Sequence, residues 1–215
     1  MLGLIKKDIL LIIKSISPAY IIAIAAPSVA AFSNRQYFMF VLSITFSFLL
    51  AMQVSTTMSL DETVKWRRNV TAMPLTSADE VESKAVITIL LGFLSVSFIF
   101  LLGIVGSFIL KISIVEIEMY CGLGFFLVII YNAIVIPASY KWGVSTGRYL
   151  PMILIIMPII LPYLMRLFKI KVTTSVRDSV DIYFFLICLF ILSILILSFS
   201  IMISIRILNN MKGSK

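Results

Sequence analysis

Long apolar runs leave this chain one class of fold. Ala85–Leu110 and Ile182–Ile207 carry no charge across most of their length, and about 20 consecutive apolar residues suffice for a helix to cross a bilayer. Six such runs follow one another: Pro18–Phe32, Tyr37–Met58, Ala85–Leu110, Met119–Tyr140, Tyr149–Leu167 and Ile182–Ile207. They use well over half of the 215 residues and leave only short loops. Composition agrees, with 61% hydrophobic and 13% charged residues against about 25% charged in soluble domains. The expected fold is an all-α integral membrane protein of six transmembrane helices, one membrane domain over residues 1–215. The first run is short and either borrows residues from the segment before it or breaks near Pro27. The fifth carries Pro151, Pro158 and Pro162, which kink or interrupt a helix.

Several chemistries are excluded. The chain has no histidine, so His-dependent metal sites and catalytic triads are absent. Cys121 and Cys188 lie in separate apolar runs without metal or disulfide spacing and read as small hydrophobes. No GxxxxGK[ST] phosphate loop occurs, so any nucleotide energy must come from another chain. No Asp, Glu, Lys or Arg falls at the centre of a run, which argues against an ion-coupled transporter. The net charge of +8 fits basic cytoplasmic loops facing anionic lipid rather than nucleic acid.

Within the runs, Ser43 and Ser47 stand four apart on one helical face, with Gln53 following and Asn132 in the fourth run. Two roles are open to them: hydrogen bonds between helices, or the lining of a translocation path.

Residues 1–16 mix Lys6, Lys7, Asp8 and Lys14 with Leu and Ile. The pattern predicts an interfacial amphipathic helix on the cytoplasmic leaflet, retained rather than removed as a signal peptide. With this end inside, 12 Lys and Arg fall on the cytoplasmic side and 6 outside, which places both termini in the cytoplasm. The outer cluster between Arg166 and Arg177 is the dissenting feature.

The loop 59–84, SLDETVKWRRNVTAMPLTSADEVESK, holds half of all the acidic residues: Asp61, Glu62, Asp79, Glu80 and Glu82. Thr76-Ser77 before Asp79 and Glu80 predicts a helix start. The preceding DETVKWRR piece predicts a short helix on the cytoplasmic face, with Trp66 as an anchor and its charges as register for a protein groove. A solvated loop with Trp66 in an interfacial belt is the plainer reading.

The order Asp61-Glu62, Trp66, Met73-Pro74-Leu75-Thr76, Val81, Ser83-Lys84 resembles the cytoplasmic signature of small ABC transporter permeases of the type-2 exporter class. A second match is Pro137, Tyr140-Lys141-Trp142-Gly143 and Gly147-Arg148-Tyr149, in the loop 141–148. The opening LIKKDILLIIKS is similar to the family's basic first helix. Ser77 departs from the pattern, standing where the family commonly has Arg. Size and Ile content further resemble permeases of the phenol-soluble-modulin peptide exporters of Gram-positive bacteria.

The resemblance implies a permease of the bacterial cell membrane, paired with an identical or related permease subunit above two cytoplasmic ABC ATPase subunits. ATP and Mg would be bound by those ATPases and no cofactor by this chain. Asp61, Glu62, Lys65, Trp66, Arg67 and Arg68 would contact the ATPase, with Pro74 fixing the turn and Lys141, Trp142 and Gly143 adding the second loop. The cargo implied is an amphipathic peptide or a hydrophobic molecule, moved outward. A non-transporting immunity or accessory protein that binds a toxin or another permease is the alternative. A membrane enzyme lacks the residues it needs.

Overall fold

Two reciprocal caps set where the central helices begin. The Thr76 hydroxyl accepts the Asp79 N–H at 3.1 Å, and the Asp79 carboxylate accepts the Thr76 N–H at 3.1 Å. Ser113 and Glu116 repeat the arrangement at 3.2 and 3.3 Å. Each box satisfies donors that a helix start would leave orphaned, and the acid favours the positive end of the helix dipole.

The computed structural model describes residues 1–16, 20, 22, 23, 25, 35–66, 76–147, 149 and 179–213. Its regular elements are helices: α1 (Leu2–Ser15), α2 (Arg35–Thr63), α3 (Ser77–Leu110), α4 (Ile114–Trp142), the single turn α5 (Val144–Gly147) and α6 (Ser179–Gly213). Four are long and apolar enough to cross a membrane, over Phe38–Thr63, Ser77–Leu110, Ile114–Trp142 and Tyr183–Met211. They correspond to the second, third, fourth and sixth expected runs. The first and fifth runs, with Pro151, Pro158 and Pro162, fall almost wholly outside the described residues.

α4 is the hub, packed on α2, α3 and α6. Small residues let the helices close: a side chain at Gly124 would collide with Ile99, Ser47 and Ser43, and one at Gly103 with Ile117. This is the small-residue packing expected where lipid supplies no hydrophobic drive between helices. Phe46 stacks on Phe98 at 3.9 Å between α2 and α3, and Phe125 on Phe190 at 5.5 Å between α4 and α6.

These contacts fix direction. α3 runs opposite to α2 and α4. α6 runs parallel to α4, because Phe125 meets Phe190 and, further along both helices, Ile129 shares a cluster with Leu197. α4 therefore ends, and α6 begins, at opposite ends of the bundle.

One boundary differs from the sequence reading: residues 59–63 continue α2 instead of opening the loop expected at 59–84. At the other end, α3 starts at Ser77, where the Thr76-Ser77 signal placed a helix start, so residues 77–84 belong to it. Asp61 to Thr63 likewise form the last turn of α2 rather than a separate helix. α1 also departs from a purely interfacial helix: Leu4, Asp8 and Ile12, spaced four apart, are buried, and Ile12 belongs to the main core cluster with Val54 and Val81. Lys7 meets Asp61 and Ser15 meets Gln53, so α1 runs antiparallel along α2. Its Leu2, Leu10 and Ile13 stay exposed.

Candidate coupling site at the charged end of the bundle

Four side chains from three helices close a ring of alternating charge. Lys84 of α3 lies 2.8 Å from Asp8 of α1 and 2.9 Å from Asp61 of α2. Lys7 completes the circuit, 2.7 Å from Asp61 and 3.2 Å from Asp8. The Lys84 and Asp8 side chains are only 4% and 1% exposed, so both charges have left water, and only opposite charges within contact distance can offset that cost. Two cations against two anions leave the ring neutral.

Lys84 also reaches the Thr57 hydroxyl at 3.3 Å. Lys84 thus donates hydrogen bonds to Asp61 and Thr57, while its contact with Asp8 is an ion pair, neither Asp8 oxygen having a hydrogen-bond partner among the described residues. Lys7, 24% exposed, lies 4.3 Å from the centre of the Trp66 ring, a cation–π distance.

Glu62, next to Asp61, faces another way. Its carboxylate accepts the Val144 N–H at 3.0 Å, a donor otherwise orphaned at the start of α5. The turn before it is Gly143, with φ +86° and ψ 159°, a conformation open in practice to glycine alone. Glu62 thus ties the end of α2 to the turn between α4 and α5. Lys141 and Trp142 are exposed at this turn, the ammonium 4.7 Å from the indole centre.

Of the residues singled out for partner contact, Asp61, Glu62 and Trp66 make contacts within the chain, while Lys65, Lys141 and Trp142 face outward. Lys65 adopts φ +51° just past α2. Arg67, Arg68 and Pro74 lie outside the described residues. Lys7, Asp8 and Lys84 were not among the contact residues; a charge amid apolar residues seven or eight from the chain start reads as an interfacial face, and its partner lies on a distant helix. The Ser83-Lys84 ending of the loop signature was the available signal.

The polar residues of the spans are buried between helices. Ser43 donates to the Tyr120 carbonyl at 2.9 Å, Ser47 pairs with Ser95 at 2.8 Å, and Gln53 accepts from Ser15 at 3.1 Å. Asn132 donates to the Val128 carbonyl at 3.0 Å while its own Oδ1 has no partner among the described residues. All four are at most 2% exposed.

The model of the family described as ABC-2 family transporter protein matches residues 3–209. No curated protein and no solved structure matches the chain. A match running from α1 into the last turns of α6 takes in both the charge ring and the Glu62–Val144 tie, and the chain belongs to the ABC-2 transporter family.

Proposed function

We propose that this chain is the permease subunit of an ATP-driven exporter in the bacterial cell membrane. It would pair with a second permease and take force from separate cytoplasmic ATPases that bind ATP and Mg. The observation that carries this reading is the family match over nearly the whole chain, joined to a sequence without a phosphate loop. The parallel course of α4 and α6 supports a further crossing between Gly147 and Ser179, as a six-span permease needs.

The charged end supports a particular coupling route. Lys65, Lys141 and Trp142 form the outward surface on which an ATPase docks, with Arg67, Arg68 and Pro74 between α2 and α3 completing it. Behind that surface, Asp61 and Glu62 are fixed to α1, α3 and α5 rather than free. A push on the loops is therefore shared among helices through the ring and the Glu62–Val144 bond. Such coupling is a free energy linking a nucleotide site on one chain to a path on another. Ser43, Ser47 and Gln53 bond from helix to helix in this state while Asn132 bonds within α4, and the four would border a path only if the helices part. The cargo is an amphipathic peptide or hydrophobic molecule, a class suited to a path without fixed charge at mid-membrane.

The test is co-purification of the full chain with its ATPase, followed by reconstitution and assay of hydrolysis with amphipathic peptides. A stable complex whose hydrolysis the peptides stimulate supports the reading. A chain that purifies alone and still protects cells against a toxin supports the accessory-protein alternative.

A further inference from the structure

α1 has two unlike faces. Leu4, Asp8 and Ile12 turn inward. On the other side Leu2, Lys6, Leu10 and Lys14 recur every four residues, form one row, and are all exposed. Ile13 and Ile16 flank that row, 62% and 57% exposed. The one acid of the helix, Asp8, is taken up by the charge ring, so the exposed face carries positive charge alone. The ion pairs among the described residues involve neither Lys6 nor Lys14.

The spans set the depth of this face in a bilayer. From Lys84 to Leu110, α3 rises about 39 Å, more than the hydrocarbon core of about 30 Å. With exposed Lys111 at the far surface, the charge ring stands in the headgroup layer. α1 passes the ring and runs toward the hydrocarbon, since Lys7 meets Asp61 while Ser15 meets Gln53, farther into the span of α2. Its outer face therefore lies where lipid phosphates give way to acyl chains.

From unpaired lysines and exposed apolar residues at that depth, we infer that the outer face of α1 seats an anionic phospholipid of the leaflet at the charged end. Lys6 and Lys14 hold its headgroup, and Leu10, Ile13 and Ile16 lie against its acyl chains. The lysine stems follow apolar surface and carry their ammonium groups to the phosphates. A zwitterionic lipid meets the same apolar residues with no net charge, so charge complementarity selects the anionic class. The seat lies on the helix that supplies Lys7 and Asp8 to the ring, which places lipid charge and ring on opposite faces of one helix. This goes beyond the transporter reading and needs only the membrane spans.

The full chain in phosphatidylcholine nanodiscs receives a small fraction of diazirine-bearing phosphatidylglycerol, or of its phosphatidylcholine twin, and labelled residues are mapped by mass spectrometry. Phosphatidylglycerol is expected to label α1 about tenfold more than the choline lipid, the order that two lysines beside an anionic headgroup imply after screening. Lys6→Gln with Lys14→Gln removes the preference, and Lys6→Arg with Lys14→Arg retains it. Raised salt lowers the preference of the wild-type chain, a readout that depends on no variant folding. Equal labelling by the two lipids, a preference that survives the paired Gln substitutions, or one indifferent to salt overturns the seat. An α1 labelled by neither lipid is covered by protein instead, and overturns it as well. The assay uses no ATPase, so its failure leaves the coupling route standing, and failure of ATPase docking leaves this lipid result intact.

Discussion

The Lys84 ammonium lies 2.8 Å from the Asp8 carboxylate, joining the start of α3 to α1 where neither group meets water. Such a pair stabilises little relative to apolar side chains of the same shape. Breaking it by removing one partner is expensive, because the other is left buried and uncompensated.

Lys84→Met leaves the ring with two anions, Asp8 and Asp61, sharing the one remaining cation, Lys7. Unfolding of the detergent-solubilised chain is expected to become easier by about 3–5 kcal/mol. Lys84→Met with Asp8→Asn restores neutrality, leaving Lys7 and Asp61, and loses clearly less than the two single variants together. Additive losses in that double-mutant cycle would show that the ring does not act as a unit.

Glu62→Ala removes the acceptor for the Val144 N–H. A lost helix cap costs about 1 kcal/mol, and hydrogen exchange at Val144–Gly147 should accelerate while α3 is unaffected. Uniform acceleration along the chain would mean that Glu62 supports the whole bundle instead.

Gly143→Ala forces a side chain into a backbone conformation that costs about 1–3 kcal/mol, lowering the melting temperature. Lys111, the C-cap of α3 at φ +53°, gives the opposite sign. Lys111→Gly relieves left-handed strain and stabilises by about 1 kcal/mol. Differential scanning fluorimetry of the two variants reads both shifts.

Ser47→Ala with Ser95→Ala deletes both halves of a buried hydroxyl pair. Interhelical hydrogen bonds in membranes average about 0.6 kcal/mol, so the double variant should stay folded and lose little stability. Loss of transport at unchanged stability would instead assign these serines to the path.

What the sequence reveals divides along physical lines. Apolar length alone located four of the helices, and Thr76 ahead of Asp79 marked the start of α3, because both signals are local. The fate of Asp61 and Lys84 was not local. Charge next to an apolar run reads as solvent-facing, yet these two side chains pair with Lys7 and Asp8 from another helix, Asp61 doing so from a stretch of α2 that continues past Met58. Asp8 shows the same limit: its burial depends on α1 lying along α2 and α3, which no spacing within residues 1–16 encodes. Ser43 and Ser47 were correctly placed on one face, but the choice between pairing and path needed the positions of Ser95 and Tyr120.

The central claim is that the exposed turn at Lys141 and Trp142 receives force from an ATPase. The direct measurement is ATPase retention on the tagged, membrane-inserted chain carrying Trp142→Ala, with Trp66→Ala as a second variant. The account predicts that Trp142→Ala lowers retained ATPase at least about tenfold, as loss of a buried aromatic anchor does, with insertion unchanged. ATPase retained at the wild-type level in both variants would contradict it.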